Sequence, residues 1–427
     1  MPETIPALNS SQKRAVISPI AIIGILFFIF GFVTWLNSVL VPYLKIACQL
    51  NNLESFLVAS AFYIAYLVMA IPSAWVLRKF GFKNGMSVGL VIMAVGALVF
   101  IPAALTRTYA IFLAGLFIQG TGLAILQTAS NPYVVVLGPA ESAARRISIM
   151  GICNKVAGAI APLVLGSVAL KNIDQLNAKL ASLNAAQKVP LLNELASRVI
   201  VPYICIMISL VILAGLIYFS TLPEIDTEKE DETTALANTS KTSIFQFPHL
   251  LLGVIAIFVY VGAEVLAGDS IIGYGASQHI PLSTARFFAT CTMISMIVGY
   301  IAGILCMPKY ISQQRALVVS AILGCILSVM AVVTHGYVSV FCIALLGLAN
   351  SLMWPAIWPL ALNGLGKFTK IGSSLLVMGI AGGALIPLLY GHLADIYSNR
   401  LAYGILLPIY LFILYYAGWG HNLKRAD

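Results

Sequence analysis

Apolar runs of about twenty residues or more follow one another along the whole chain, separated by short polar stretches, and no other feature limits the fold as strongly. A run of that length is what an α-helix needs to cross the hydrocarbon core of a bilayer. Twelve are legible, near residues 18–43, 54–80, 84–105, 108–137, 146–170, 199–222, 247–276, 285–308, 314–334, 337–364, 371–394 and 400–420. In lipid every backbone N–H and C=O must find a partner, and a helix pairs them within one segment. The expected fold class is therefore an all-α membrane protein with twelve transmembrane helices. A composition of 60% hydrophobic and 9% charged residues over 427 positions fits no soluble domain. The first run is longer than a signal-peptide core and has no clear small-residue cleavage site, so it reads as an uncleaved span. Gly, Ala and Ser are mixed among the Leu and Ile of most runs, as in helices that approach closely in lipid.

The net charge of +9 is spread in ones, twos and threes between the apolar runs. That spacing is a topology signal and excludes a nucleic-acid patch. With the N-terminus inside, fifteen Lys and Arg fall on the cytoplasmic side and eight on the other, with Lys155 in the membrane. Both termini are thus expected in the cytoplasm. The seven cysteines, at 48, 153, 205, 291, 306, 325 and 342, are scattered with no Cys-x-x-Cys, and read as small apolar residues. No phosphate-cradling loop is present, and no metal-ligand pair of histidines occurs at helical spacing.

The chain repeats itself. Span five carries Met150-Gly-Ile152, Gly158, Pro162 and Gly166, and span eleven carries Met378-Gly-Ile380, Gly383, Pro387 and Gly391. From the glycine to the proline to the next glycine, the offset is 225 residues. Two parallel six-helix repeats are the plan of alternating-access transporters, with the site at the repeat interface. The domains expected are residues 1–222 and 246–427, joined by an acidic solvated linker at 223–245. Residues 171–198 place Leu176, Leu180 and Leu183 on one helical face; an amphipathic helix and a loosely ordered loop are both open there.

Polar residues inside the spans are the candidate site. Span seven holds Glu264 and Asp269, which an ideal helix would point about 140° apart. Gly262, Gly268, Gly273 and Gly275 suggest a bend that brings both acids towards one space. An ionised acid in hydrocarbon costs several kcal/mol, so such residues tend to mark ion or substrate pathways, although one of them tying two helices together is the plainer alternative. Span five holds Asn154 and Lys155; Lys155 either partners Glu264 or Asp269 or extends to the cytoplasmic interface. Span four holds Gln127 and Asn131 on one face before Pro132, and amides that donate and accept suit sugar hydroxyls. Span ten offers Asn350, Trp354 and Trp358 at i, i+4 and i+8, an aromatic platform of the kind that covers a pyranose ring. Span one adds Trp35, Asn37 and Ser38 before Pro42.

Gln127-Thr-Ala-Ser-Asn-Pro-Tyr133, Leu137-Gly-Pro139 and Glu141-Ser-Ala-Ala-Arg-Arg146 resemble the fucose/proton symporter family of the major facilitator superfamily. Phe30-Gly-Phe-Val-Thr-Trp-Leu-Asn37 and Met150-Gly-Ile-Cys-Asn-Lys155 are most similar to its branch of bacterial N-acetylglucosamine permeases. Val261-Gly-Ala-Glu264 and Gly372-Ser-Ser374 carry the match into the second half. The resemblance implies two six-helix bundles around a central cavity, sugar transport, and a place in the bacterial inner membrane. It also sets a departure: the acids that the fucose symporters use in spans one and four are here Ser38 and Gln127. Neither can carry a proton, so coupling falls to Glu264, Asp269 or Lys155, or the protein is a uniporter.

The leading expectation is import of an N-acetylhexosamine, N-acetylglucosamine first, by proton or sodium symport. The alternatives are a glucose/galactose or fucose transporter of the same family, or a membrane sugar sensor that does not transport. No nucleophile, base or metal cluster points to an enzyme. No cofactor is expected beyond the co-transported ion, and no partner beyond the sugar and the bilayer, with the chain a monomer.

Overall fold

The computed structural model describes residues 19–136, 143–220, 222, 243–307, 310–365 and 368–423. Some side chains within its helices, Asn131 among them, fall outside the description, as does most of the acidic linker. Among the described residues twelve helices are long and apolar enough to cross a membrane. They are Ile20–Ala47, Asn52–Met69, Lys79–Thr106, Tyr109–Ser130, Ile149–Ala169 and Ala185–Tyr218 in the first half. The second half has Pro248–Asp269, Leu282–Cys306, Gln313–Val333, Gly336–Leu362, Leu375–Ile396 and Asn399–Gly418. Every expected span is present, with its ends shifted most at spans two and six.

Several helices are interrupted where the sequence read as one run. Spans two and three, within Asn52–Thr106, are two helices that meet at a kink at Gly81, whose φ of 78° and ψ of 173° suit only a residue without a Cβ. Span one divides into Pro19–Trp35 and Asn37–Ala47. Span ten divides into Gly336–Asn350 and Met353–Leu362, and Pro355 has no N–H to offer the Ser351 carbonyl at that joint. Asn350 therefore does not continue one regular face with Trp354 and Trp358, as the i, i+4, i+8 spacing led us to expect. Span seven is unbroken from Pro248 to Asp269 and yields only at Ser270, before a short helix at Ile271–Ser277. The interruption expected among Gly262, Gly268, Gly273 and Gly275 thus falls at Ser270, just beyond Asp269 and not between the two acids.

Residues 171–198 are helical: Ile173–Ser182 and then Ala185–Ser197, the second capped by Asn184 and Gln187 in a reciprocal box. Leu176 packs against the core, and the Tyr43 hydroxyl donates to the Leu195 carbonyl at 2.5 Å, anchoring the second helix to span one.

The two halves meet along two helix pairs related by the repeat. Span five (Ala143–Ala169) packs on span eight (Leu282–Cys306), and span two packs on the Gly382–Ile396 segment of span eleven. The repeated glycines make these approaches possible. A Cβ at Gly166 would press on Arg286 of span eight, and one at Gly391 would press on Phe56 and Leu53 of span two. Thr290 donates to the Ala159 carbonyl at 2.9 Å in the first pair, and Ser60 to the Ala384 carbonyl at 2.6 Å in the second.

Candidate functional site

Lys155 and Glu264 meet across the two halves. The Lys155 ammonium lies 2.6 Å from a Glu264 carboxylate oxygen, and the two side chains are only 9% and 12% exposed. Of the two readings of Lys155, the structure shows the partnered one. Trp35 covers the pair from span one, with the ammonium 4.4 Å from its ring centroid. A cation held between a carboxylate and an indole face is stabilised by both, and more strongly for being desolvated.

Glycines fix the position of Trp35. A methyl group at Gly158 of span five, or at Gly268 of span seven, would run into the indole. The ring is thus wedged between the halves and is 3% exposed. Met293 and Met296 of span eight complete its surroundings.

Around Glu264 the sequence reading missed a set of tyrosines. Tyr260, one turn earlier on span seven, is buried beside the carboxylate. Tyr63, Tyr300 and Tyr410 are near enough for their hydroxyls to feel its charge. Tyr410 also donates to the Asn350 amide oxygen at 2.8 Å, so Asn350 joins this network instead of standing free beside the tryptophans. The available signal was tyrosine well inside a span, since tyrosines of membrane proteins concentrate at the interfaces.

Asp269 is placed differently from Glu264. It is fully buried, and neither carboxylate oxygen has a hydrogen-bond partner among the described residues. The Asn37 amide nitrogen and the Trp35 indole N–H are also buried without acceptors among the described residues. Trp35 touches Gly268, and the Asn37–Ala47 segment packs on span seven, so the break in span one lies against the end of span seven that carries Asp269. Unpaired buried polar atoms are costly, and a polar solute or ion is one way to satisfy them. The Ser38 hydroxyl donates to the Trp35 carbonyl at 2.8 Å, which leaves it only an acceptor for any further contact.

The remaining candidates are spread along the walls. Gln127 is half-buried within reach of the Tyr66 hydroxyl. Asn154 leans on span one, with its amide 3.4 Å from the Phe27 carbonyl. Trp354 and Trp358 stack on each other with centroids 5.1 Å apart and planes 27° off parallel, both half-buried against the core. Asn131 lies in span four, but its side chain is outside the described ones.

Comparison with known proteins places this geometry in a family. A model described as Major Facilitator Superfamily matches residues 23–370. The chain is 36% identical over 415 residues to a glucose/galactose transporter of Brucella abortus, across 96% of this chain and 95% of that one. It is 32% identical over 397 residues to the L-fucose-proton symporter of Escherichia coli, across 92% and 90%. Among solved structures it resembles that of FucP, a major facilitator transporter in the outward conformation, with a TM-score of 0.70 and 28% identity over 95% of this chain and 99% of that one. A likeness to the N-acetylglucosamine permeases is not among these findings.

Proposed function

The chain belongs to the major facilitator superfamily, and from that premise we propose that it imports a neutral hexose, of the glucose/galactose or fucose type, by cation-coupled alternating access. The observation that carries this reading is the buried Lys155–Glu264 pair joining the two halves. The substrate class rests on the relatives, whose names state glucose, galactose and fucose. We therefore place a simple hexose ahead of the N-acetylhexosamine expected from sequence. Residues 1–222 and 246–427 act as the two rocking bodies, with both termini cytoplasmic.

Separating Lys155 from Glu264 as the halves rock leaves two opposite charges in a medium of low dielectric, at a cost of several kcal/mol. A proton or sodium ion arriving at Glu264 removes the attraction and lets the halves part. Asp269 is the second acid of the coupling site, since its unpaired oxygens can receive a proton, a hard cation or a sugar hydroxyl. Asn37, Gln127, Asn131, Asn154 and Asn350 supply hydroxyl contacts, and the Trp354–Trp358 stack supplies the apolar face. Uptake into proteoliposomes tests the substrate and the ion together. Glucose, galactose, fucose and N-acetylglucosamine are offered with the pH and sodium gradients varied separately. Accumulation of a simple hexose under one of those gradients supports the reading, and accumulation of N-acetylglucosamine alone rejects the substrate assignment.

A further inference from the structure

Two aspartates on the face away from the termini do the same thing in the two halves. Helix Leu282–Cys306 of span eight begins with Pro281 as its N-cap, and proline makes no side-chain cap there. Its first amides are satisfied from the other half. Asp174, just after span five, accepts from the Leu282 N–H at 2.9 Å, the Ser283 N–H at 3.4 Å and the Ser283 hydroxyl at 2.8 Å.

The repeat-related pair of helices shows the same arrangement. Asp395, in the last turn of span eleven, accepts from the Asn52 N–H at 3.1 Å, the Asn52 amide at 2.6 Å and the Leu53 N–H at 2.8 Å. Span two also has a cap in its own half, where Asn51 accepts from the Glu54 N–H at 2.7 Å and Glu54 from the Asn51 N–H at 3.0 Å, but that box leaves the Asn52 and Leu53 amides to Asp395. In both places one carboxylate of one half takes the first two N–H groups of a helix in the other, plus one side-chain donor. Four donors of each helix start lack partners within the helix, and its partial positive charge favours an anion. Lys45 donates to Asn52 beside the second contact.

We propose that Asp174 and Asp395 are paired latches that hold this face closed, so that opening it requires both helix caps to break together. Each contact spans the two halves, so a rocking motion that parts spans five and eight, or two and eleven, cannot leave either intact. A cap supplied from the same half would stabilise its helix in every state. A cap supplied across the interface stabilises only the closed one. The proposal concerns the gate and is independent of the substrate.

Distance measurement between spin labels on the full-length chain tests it. The labels sit at Lys179 and Val338, exposed positions on the same face in opposite halves. Each of Asp174→Ala and Asp395→Ala should raise the open-to-closed ratio about fivefold, and the double variant about twenty-fivefold, because the caps are separate contacts on one equilibrium. Asp174→Asn and Asp395→Asn keep an acceptor and give smaller shifts, and they carry the test if the alanine variants do not fold. Pro281→Ser, which offers span eight a cap from its own half, should restore thermal stability to Asp174→Ala without restoring the closed distance. An unchanged distribution in the folded double variant overturns the proposal. So does recovery of the wild-type distribution by Pro281→Ser, which would make Asp174 a helix cap only.

Discussion

Lys155 carries the one full positive charge that sequence places in mid-membrane, and everything it touches follows from that. Removing one partner of a buried ion pair leaves the other uncompensated, whereas removing both can be nearly neutral. We therefore expect Glu264→Gln and Lys155→Met each to lower stability by about 3–5 kcal/mol, and the double variant to recover most of it, read from thermal unfolding in detergent. Asp269 gives the opposite pattern, since it has no partner to lose among the described residues. Asp269→Asn should change stability by less than about 1 kcal/mol yet weaken sugar binding roughly tenfold to a hundredfold in calorimetry, as the loss of a buried polar contact does. Unchanged sugar affinity would remove Asp269 from the site. At this scale sequence reading found the charged residues, because an acid or lysine in an apolar run stands out. It did not find Tyr260, Tyr300 and Tyr410, which come from three different spans and meet only after folding. It also joined Asn350 to two tryptophans when the nearer partner was Tyr410, sixty residues away in the chain.

The elements are held apart by distances that glycine sets. In span eleven a Cβ at Gly382 would overlap the Phe258 backbone of span seven, and in span one a Cβ at Gly31 would overlap the Asn154 carbonyl of span five. Gly215, on span six, has open space around its missing Cβ. Gly382→Ala should therefore cost about 1–3 kcal/mol by pushing two backbones apart. Gly215→Ala should be neutral or stabilising by up to about 1 kcal/mol, because alanine is the better helix former. Melting temperatures of the two variants check this, and equal shifts would mean that the contacts at Gly382 are not tight. The spans themselves were legible because twenty apolar residues leave the backbone no alternative in lipid. Their joints were less so. Gly81 read as part of a short loop, and its positive φ is what turns the chain between the two spans. The break at Ser351–Leu352 was signalled only by Pro355, and prolines inside spans often bend a helix without dividing it.

For the whole molecule, the 225-residue repeat made the two-bundle plan readable before any coordinates. It did not reveal which helices touch across the halves. Spans five and eight, and two and eleven, emerge as the seams, and nothing in the sequence marks the acids at their ends, because the groups that donate to them are backbone amides far away in sequence. Seen whole, the two halves are tied by latches at one face and by Lys155 and Glu264 in the interior, and transport by this scheme is the ordered release of those ties. Exchange of labelled sugar needs only the loaded carrier to reorient, whereas accumulation needs the ion to leave and the empty carrier to return. The most direct measurement is therefore sugar movement in proteoliposomes made with Glu264→Gln, followed both as counterflow without a gradient and as uptake under a proton or sodium gradient. The account predicts that counterflow persists while accumulation is lost. Accumulation at the wild-type level by Glu264→Gln would contradict it, since the pair joining the halves would then have no part in coupling.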